Sequence, residues 1–189
     1  LLDEPLGALD KKLREETQFE LTDLQMTLGM TFIIVTHDQE EAMTVADRIA
    51  VMDHGKVVQV ATPAEIYELP NSRYVADFIG DINLIEGKIA AAGEAGTRLD
   101  CSGTGATVDV AQPVDAAVGS SAWFAIRPEK VTISPDAPAD TATNAIKGTV
   151  WDIGYLGDVS IYHVRLATGA TMKATIANRT RPVERPITW

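Results

Sequence analysis

The sequence is poor in the side chains that define several protein classes. Cysteine occurs once, at Cys101. No disulfide can therefore form within the chain, no zinc site with several cysteines can be built, and a lone thiol fits a reducing compartment. Cys101 lies in a Gly/Ser/Thr-rich stretch and reads as inert. No apolar run exceeds about five residues, against the roughly 20 that a membrane-spanning helix needs. The start is acidic and shows no basic segment followed by an apolar one, the pattern of a secretory signal. Clusters of basic residues are also lacking. Lys and Arg number 16 against 27 Asp and Glu, a net charge of −11. The nearest approach to a basic cluster, Arg179, Arg181 and Arg185, is diluted by Glu184 and two prolines. That argues against nucleic acid as a partner, because neutralising phosphates takes clustered Lys and Arg.

What is present suffices for one large domain or two small ones: 189 residues, 46% of them apolar. The acidity is uneven. Residues 1–80 carry 6 Lys/Arg against 15 Asp/Glu, and residues 81–189 carry 10 against 12. The grammar of the chain changes at the same place. Before residue 80 it alternates strand and helix signals. Leu1-Leu2 reads as the end of a buried strand. Asp10 can cap a helix over 11–28, with Leu13, Leu21, Leu24 and Leu28 on one stripe and Gly29 as its stop. Residues 31–36 suit a central parallel strand covered on both faces. Asp38 with Glu41 resembles a capping box that opens a helix to about Asp47. Residues 48–52 and 56–60 flank Asp53-His54-Gly55, a tight hairpin signal. Thr62-Pro63 starts another helix, Pro70 ends it, and a short helix over 72–79 stops at Gly80. This order predicts an α/β layer with a parallel sheet. After residue 80 the expected strands are 82–90, 106–110, 122–126, 130–133, 146–153, 160–166 and 171–176, an all-β domain built as a small barrel or sandwich. Residues 134–143 read as a mobile loop.

The chemistry is concentrated at the start. Asp3 and Glu4 stand directly behind an apolar pair. His37, in Thr36-His37-Asp38, follows an apolar run. An acidic pair at one strand end and a histidine at another suits phosphoryl transfer, in which an Asp holds Mg²⁺, a Glu activates water and a His meets the γ-phosphate. His54 in a hairpin turn and His163 in an alternating strand read as structural. Trp123, Trp151 and Trp189 read as core or interface aromatics.

These residues carry a resemblance. Leu1-Leu2-Asp3-Glu4-Pro5 resembles the second half of a Walker B motif. Leu6-Gly7-Ala8-Leu9-Asp10 resembles the D-loop, and Thr36-His37-Asp38 the switch-histidine loop, of ABC transporter ATPases. Gly7 departs from the commoner Ser of that loop. The similarity continues through Gln39-Glu40-Glu41-Ala42, Asp47-Arg48-Ile49-Ala50-Val51-Met52, Gly55-Lys56, Gly80 and Asn83. That is the pattern of importer ATPases with a C-terminal TOBE (OB-like) domain, to which Arg127-Pro128-Glu129 also points. Residues 152–158 with Tyr162-His163-Val164 resemble the TOBE domain of polyamine importers, the putrescine type most closely, with Asn178-Arg179 and Pro186-Ile187-Thr188-Trp189 in support.

The resemblance implies a fold, a chemistry and partners. Residues 1–80 would be the C-terminal portion of an α/β P-loop NTPase, and residues 81–189 an all-β TOBE/OB-like regulatory domain. Glu4 would be the general base, His37 would face the γ-phosphate, Asp3 would hold Mg²⁺, and Asp10 would reach the ATP site of a dimer partner. The cofactors would be ATP and Mg²⁺. The partners would be a second ATPase subunit, two transmembrane permease subunits and, indirectly, a periplasmic substrate-binding protein, with the subunit peripheral on the cytoplasmic face of the bacterial inner membrane. The sequence holds no G-x-x-x-x-G-K-[ST] loop. With Leu1 where an initiator methionine would stand, this leads to the expectation of a piece of a longer protein. Two alternatives remain open: an importer ATPase of the same architecture for sugar, sulfate or iron, and a β-domain that senses a ligand or joins subunits.

Overall fold

In the computed structural model, which describes residues 1–140 and 144–179, β1 (Leu2–Asp3) pairs in parallel with β2 (Ile34–Val35), Leu2 opposite Ile34 and Asp3 opposite Val35. The strand expected over 31–36 is shorter because a ladder is no longer than its shorter partner, here two residues. A P-loop α/β layer is not shown. The parallel sheet has only these two strands, and strands outnumber helices along the described chain. The chain divides into two units, Leu1–Gly80 and Asp81–Trp189.

In the first unit, α1 spans Lys11–Leu28. Asp10 accepts a hydrogen bond from the Leu13 amide at 3.1 Å, and Gly29 closes the helix in the left-handed conformation at φ 61°. The expected apolar stripe does not find a core. Leu13, Leu24 and Leu28 are exposed, Phe19 is 74% exposed, and the one buried residue of the helix is Gln18. Ile33 and Val35 are exposed as well, so β2 is not covered on both faces. Nothing among the described residues covers either surface. The next helix, α2 (Gln39–Val45), is capped by the Asp38 carboxylate, which accepts from the amides of Glu40 and Glu41. The reciprocal half of the expected capping box is absent, because Glu41 is turned to Thr36 instead.

β3 (Ile49–Asp53) and β4 (Lys56–Ala61) form an antiparallel hairpin. His54 and Gly55 both have positive φ, 46° and 75°, as a type I′ turn demands. α3 (Pro63–Glu68) begins with a full capping box between Thr62 and Glu65. The Thr62 amide and hydroxyl both donate to Glu65 and hold its carboxyl below the usual carboxylate range. α4 (Arg73–Phe78) is capped by Ser72. Ile49, Val51, Ile66, Val75 and Ile79 form the core of this unit.

The second unit holds two antiparallel sheets. β5 (Asn83–Gly93), β6 (Gly96–Cys101), β7 (Ala106–Val110) and β8 (Ser121–Ile126) pair in the order β7-β6-β5-β8. β9 (Gly148–Tyr155), β10 (Val159–Leu166) and β11 (Thr171–Ala177) pair in the order β11-β10-β9. The strand expected at 130–133 is absent. A 3₁₀ turn runs over Pro128–Lys130 in its approach, and a proline there has no amide to give a ladder. β6 was not anticipated, since its inward positions Thr97, Leu99 and Cys101 include only one strongly apolar residue.

Cys101 is fully buried in the core with Ile85, Leu99 and Val108. It fits because its neighbour across the ladder is Gly87, where an added Cβ would lie 2.9 Å from the Cys101 sulfur. Burial, then the Asp100 charge, push the Cys101 thiol up, which keeps it protonated and unreactive near neutral pH. The two sheets are joined by Asn83. Its side-chain amide donates to the Lys173 carbonyl at 2.8 Å and accepts from the Lys173 amide at 2.7 Å. The expected loop 134–143 has no helix or strand as far as residue 140. Its last three residues lie outside the described residues, as do Arg181, Glu184, Arg185 and Pro186-Ile187-Thr188-Trp189.

The core and the open face of the first unit should respond differently to truncation. Ile66→Ala is expected to cost about 2–5 kcal/mol, the usual range for emptying a filled core position. Phe19→Ala is expected to stay within about 0.5 kcal/mol. Urea unfolding followed by circular dichroism measures both, and equal losses would contradict the placement of the core.

Candidate functional site

The parallel register decides where the acidic pair goes. With Asp3 opposite Val35, both strands leave the ladder at the same edge, and the Glu4 amide donates to the Val35 carbonyl at 2.8 Å. Glu4 and the loop that carries His37 therefore emerge side by side, at the carboxyl ends of parallel strands, where α/β sheets place ligands. The His37 Nδ1 lies 3.0 Å from Glu4 Oε1. An ionised carboxylate only accepts, so Nδ1 carries the proton, and Nε2 is left for another partner. Both side chains are more than half exposed, 76% for His37 and 56% for Glu4. Glu4 is also one of the few non-glycine residues with positive φ, at 44°. That backbone costs on the order of 1–3 kcal/mol and is concentrated at functional sites.

The loop from 36 to 39 is held on several sides. The Thr36 hydroxyl donates to Glu41 Oε2 at 2.7 Å and accepts from the Asp38 amide at 3.0 Å. Glu41 is buried, 1% exposed. Asp38 pairs with the Arg14 guanidinium at 2.8 Å, and the same guanidinium donates to the Leu9 carbonyl at 3.1 Å. Arg14 thereby ties the end of the 4–10 loop to the residue after His37. Sequence reasoning missed Arg14 and misread Glu41. A signal for Arg14 was available, because it stands one helical turn after the cap Asp10 and so faces back toward the loop. No local signal directs Glu41 to Thr36.

Of the expected site residues, the structure brings Glu4 and His37 together. Asp3 is exposed at the end of β1. Asp10 is exposed and caps α1. His54 contacts Asp53 at 2.6 Å in its turn. His163 lies against Trp151, with ring centroids 5.6 Å apart, and Arg165 stands 5.3 Å from the same ring. Trp151 is thus half-exposed rather than core. Arg127, of the Arg127-Pro128-Glu129 segment, is 5% exposed and donates to the Asp81 carbonyl at 3.1 Å, so it is engaged in the fold. No helix among the described residues is long and apolar enough to cross a membrane.

Residues 124–189 match the TOBE domain family model. Along its whole length the chain is related to ATP-binding subunits of importers, and it matches their C-terminal half. In particular, it is 45% identical over 189 residues, 100% of this chain and 50% of the relative, to the putrescine transport ATP-binding protein PotG of Escherichia coli. It is 47% identical over 180 residues, 94% of this chain and 47% of the relative, to the spermidine/putrescine import ATP-binding protein PotA of Trichormus variabilis. To the protein of that name in Chromobacterium violaceum it is 46% identical over 180 residues, 94% of this chain and 49% of the relative. The chain spans about half the length of the curated relatives it matches.

Arg14→Leu should loosen the junction between the 4–10 loop and α2. The expected cost is about 1–3 kcal/mol, the range for hydrogen bonds to a charged group, read by chemical denaturation of the first unit. A change under about 0.5 kcal/mol would show that the Arg14–Asp38 pair does not hold the loop.

Proposed function

We propose that this chain is the C-terminal half of the ATP-hydrolysing subunit of a polyamine importer, with putrescine the favoured cargo. One observation carries the reading: the 3.0 Å contact between Glu4 and His37 at the carboxyl end of a parallel strand pair, beside Asp3. Its support is the similarity of the whole chain to proteins named for putrescine and spermidine/putrescine transport.

Glu4 is the general base, an exposed carboxylate that orients the attacking water or takes its proton. His37, fixed by Glu4 through Nδ1, presents Nε2 to the γ-phosphate. Asp3 suits Mg²⁺, a hard cation that takes few carboxylates and keeps several waters. When bound, Mg²⁺ neutralises charge on the phosphate oxygens. Asp10 combines its cap with a D-loop role toward the ATP site of a second subunit. The β unit serves as the regulatory and dimerising part. The assembly is a pair of these subunits beneath two membrane permease subunits, on the cytoplasmic face of the bacterial inner membrane, served indirectly by a periplasmic substrate-binding protein. Because the sequence has no Walker A loop, the 189-residue chain alone should bind ATP weakly.

The test is Glu4→Gln in the full-length protein that carries this chain. ATP turnover is expected to fall about 10²- to 10⁴-fold, the usual contribution of a positioned base, with putrescine uptake lost alongside. Wild-type turnover would remove Glu4 from the chemistry and the reading with it.

A further inference from the structure

Two residues after His37, Gln39 grips the end of the first unit with both atoms of its amide. Nε2 donates to the Phe78 carbonyl, and Oε1 accepts from the Gly80 amide at 2.7 Å. The two backbone groups lie two residues apart, the spacing that a primary amide spans when it imitates a strand neighbour. Phe78 is the last residue of α4, and Gly80 turns the chain at φ 72°. The next residue, Asp81, is held as well, but by the second unit. Its carbonyl accepts from Arg127 at 3.1 Å, and its carboxylate pairs with Lys173 Nζ at 2.9 Å.

We infer that Gln39 is a positioning residue. It ties the placement of His37 against Glu4 to the backbone at Phe78–Gly80, so that a displacement of that segment is felt at His37. The inference rests on the reading of Glu4 and His37 as the hydrolytic pair, but its geometric part can be tested apart from that reading. The first unit supplies an internal control. Gln59 makes the same grip on the exit of α3, donating to the Leu69 carbonyl at 3.1 Å and accepting from the Asn71 amide at 2.8 Å, with no site residue beside it.

The experiment compares Gln39→Leu, Gln39→Glu and Gln59→Leu in the 189-residue chain and in the full-length protein. Two readouts besides activity are used: hydrogen exchange of segments 36–42, 68–72 and 76–83, and the response of the His37 ring resonances to Glu4→Gln. In Gln39→Leu, exchange should rise on the order of tenfold in both 36–42 and 76–83, as two hydrogen bonds of modest net worth predict. The ring response to Glu4→Gln should shrink. Gln59→Leu should loosen 68–72 alone. Gln39→Glu keeps the acceptor for Gly80 and loses the donor to Phe78, so it should fall between wild type and Leu, and it decides the matter if the Leu variant does not fold. Loosening confined to 76–83, with an unchanged ring response, would make Gln39 a plain helix-end tether and overturn the inference. In the full-length protein kcat should fall with the KM for ATP little changed. If Glu4→Gln leaves turnover intact, the catalytic reading fails while the exchange and ring data still decide the positioning role.

Discussion

The in-register parallel pairing of two short strands governs the site. Leu2 opposite Ile34 and Asp3 opposite Val35 bring together residues that lie far apart in the chain, and they do so on one edge because parallel strands exit together. A slip of one residue would reverse the face of every side chain in the ladder and take Glu4 away from the Val35 carbonyl. The positive φ of Glu4 then bends the chain away at once. Leu6, 1% exposed, anchors the turn that follows and lets the chain reach its cap at Asp10. The acidic pair is thus presented by a strained turn braced at both ends.

The protein uses one device repeatedly. Primary amides stand in for strand neighbours. Asn83 does so between the two sheets of the β unit, and Asn144 makes the same two-way contact with the backbone of Asp109. In the first unit Gln39 and Gln59 close off helix exits. Each contact satisfies one donor and one acceptor that a loop would otherwise leave to water. Such contacts fix direction as well as distance, which is what a short unit with few apolar residues at its core needs. Charge plays a smaller part. The Arg14–Asp38 pair is partly buried and joins α1 to the cap of α2, whereas Arg98–Asp109 lies on the surface between β6 and β7, which the ladder already joins, and lowers the Asp109 carboxyl.

Much of this was legible in the sequence wherever a local rule decides. Asp10 and Gly29 bound α1, Thr62-Pro63 opens α3, and Asp53-His54-Gly55 makes the tight turn, because caps and turns depend on a few neighbouring residues. Glu4 and His37 were expected at two strand ends, but the pairing of those strands and the contact between the two side chains come from the fold. What was not legible depends on distant partners. Glu41 abandons the capping box for Thr36, and the stripe on α1 has the period of a buried face but meets no cover among the described residues. β6 was hidden because its inward Thr97 and Cys101 are small or polar, and Cys101 fits only because Gly87 leaves room for it. The strand expected after Arg127 failed because Pro128 cannot join a ladder. Arg14 had a local signal one turn after Asp10, but its partner Asp38 is known only from the fold.

The central claim is that Glu4 and His37 act as one unit. A double-mutant cycle measures it most directly: ATP turnover of the full-length protein with Glu4→Gln, with His37→Ala, and with both. The account predicts that the double variant is no slower than the slower single variant, since either change already disables the pair. Losses that multiply, each residue contributing its own factor, would contradict it.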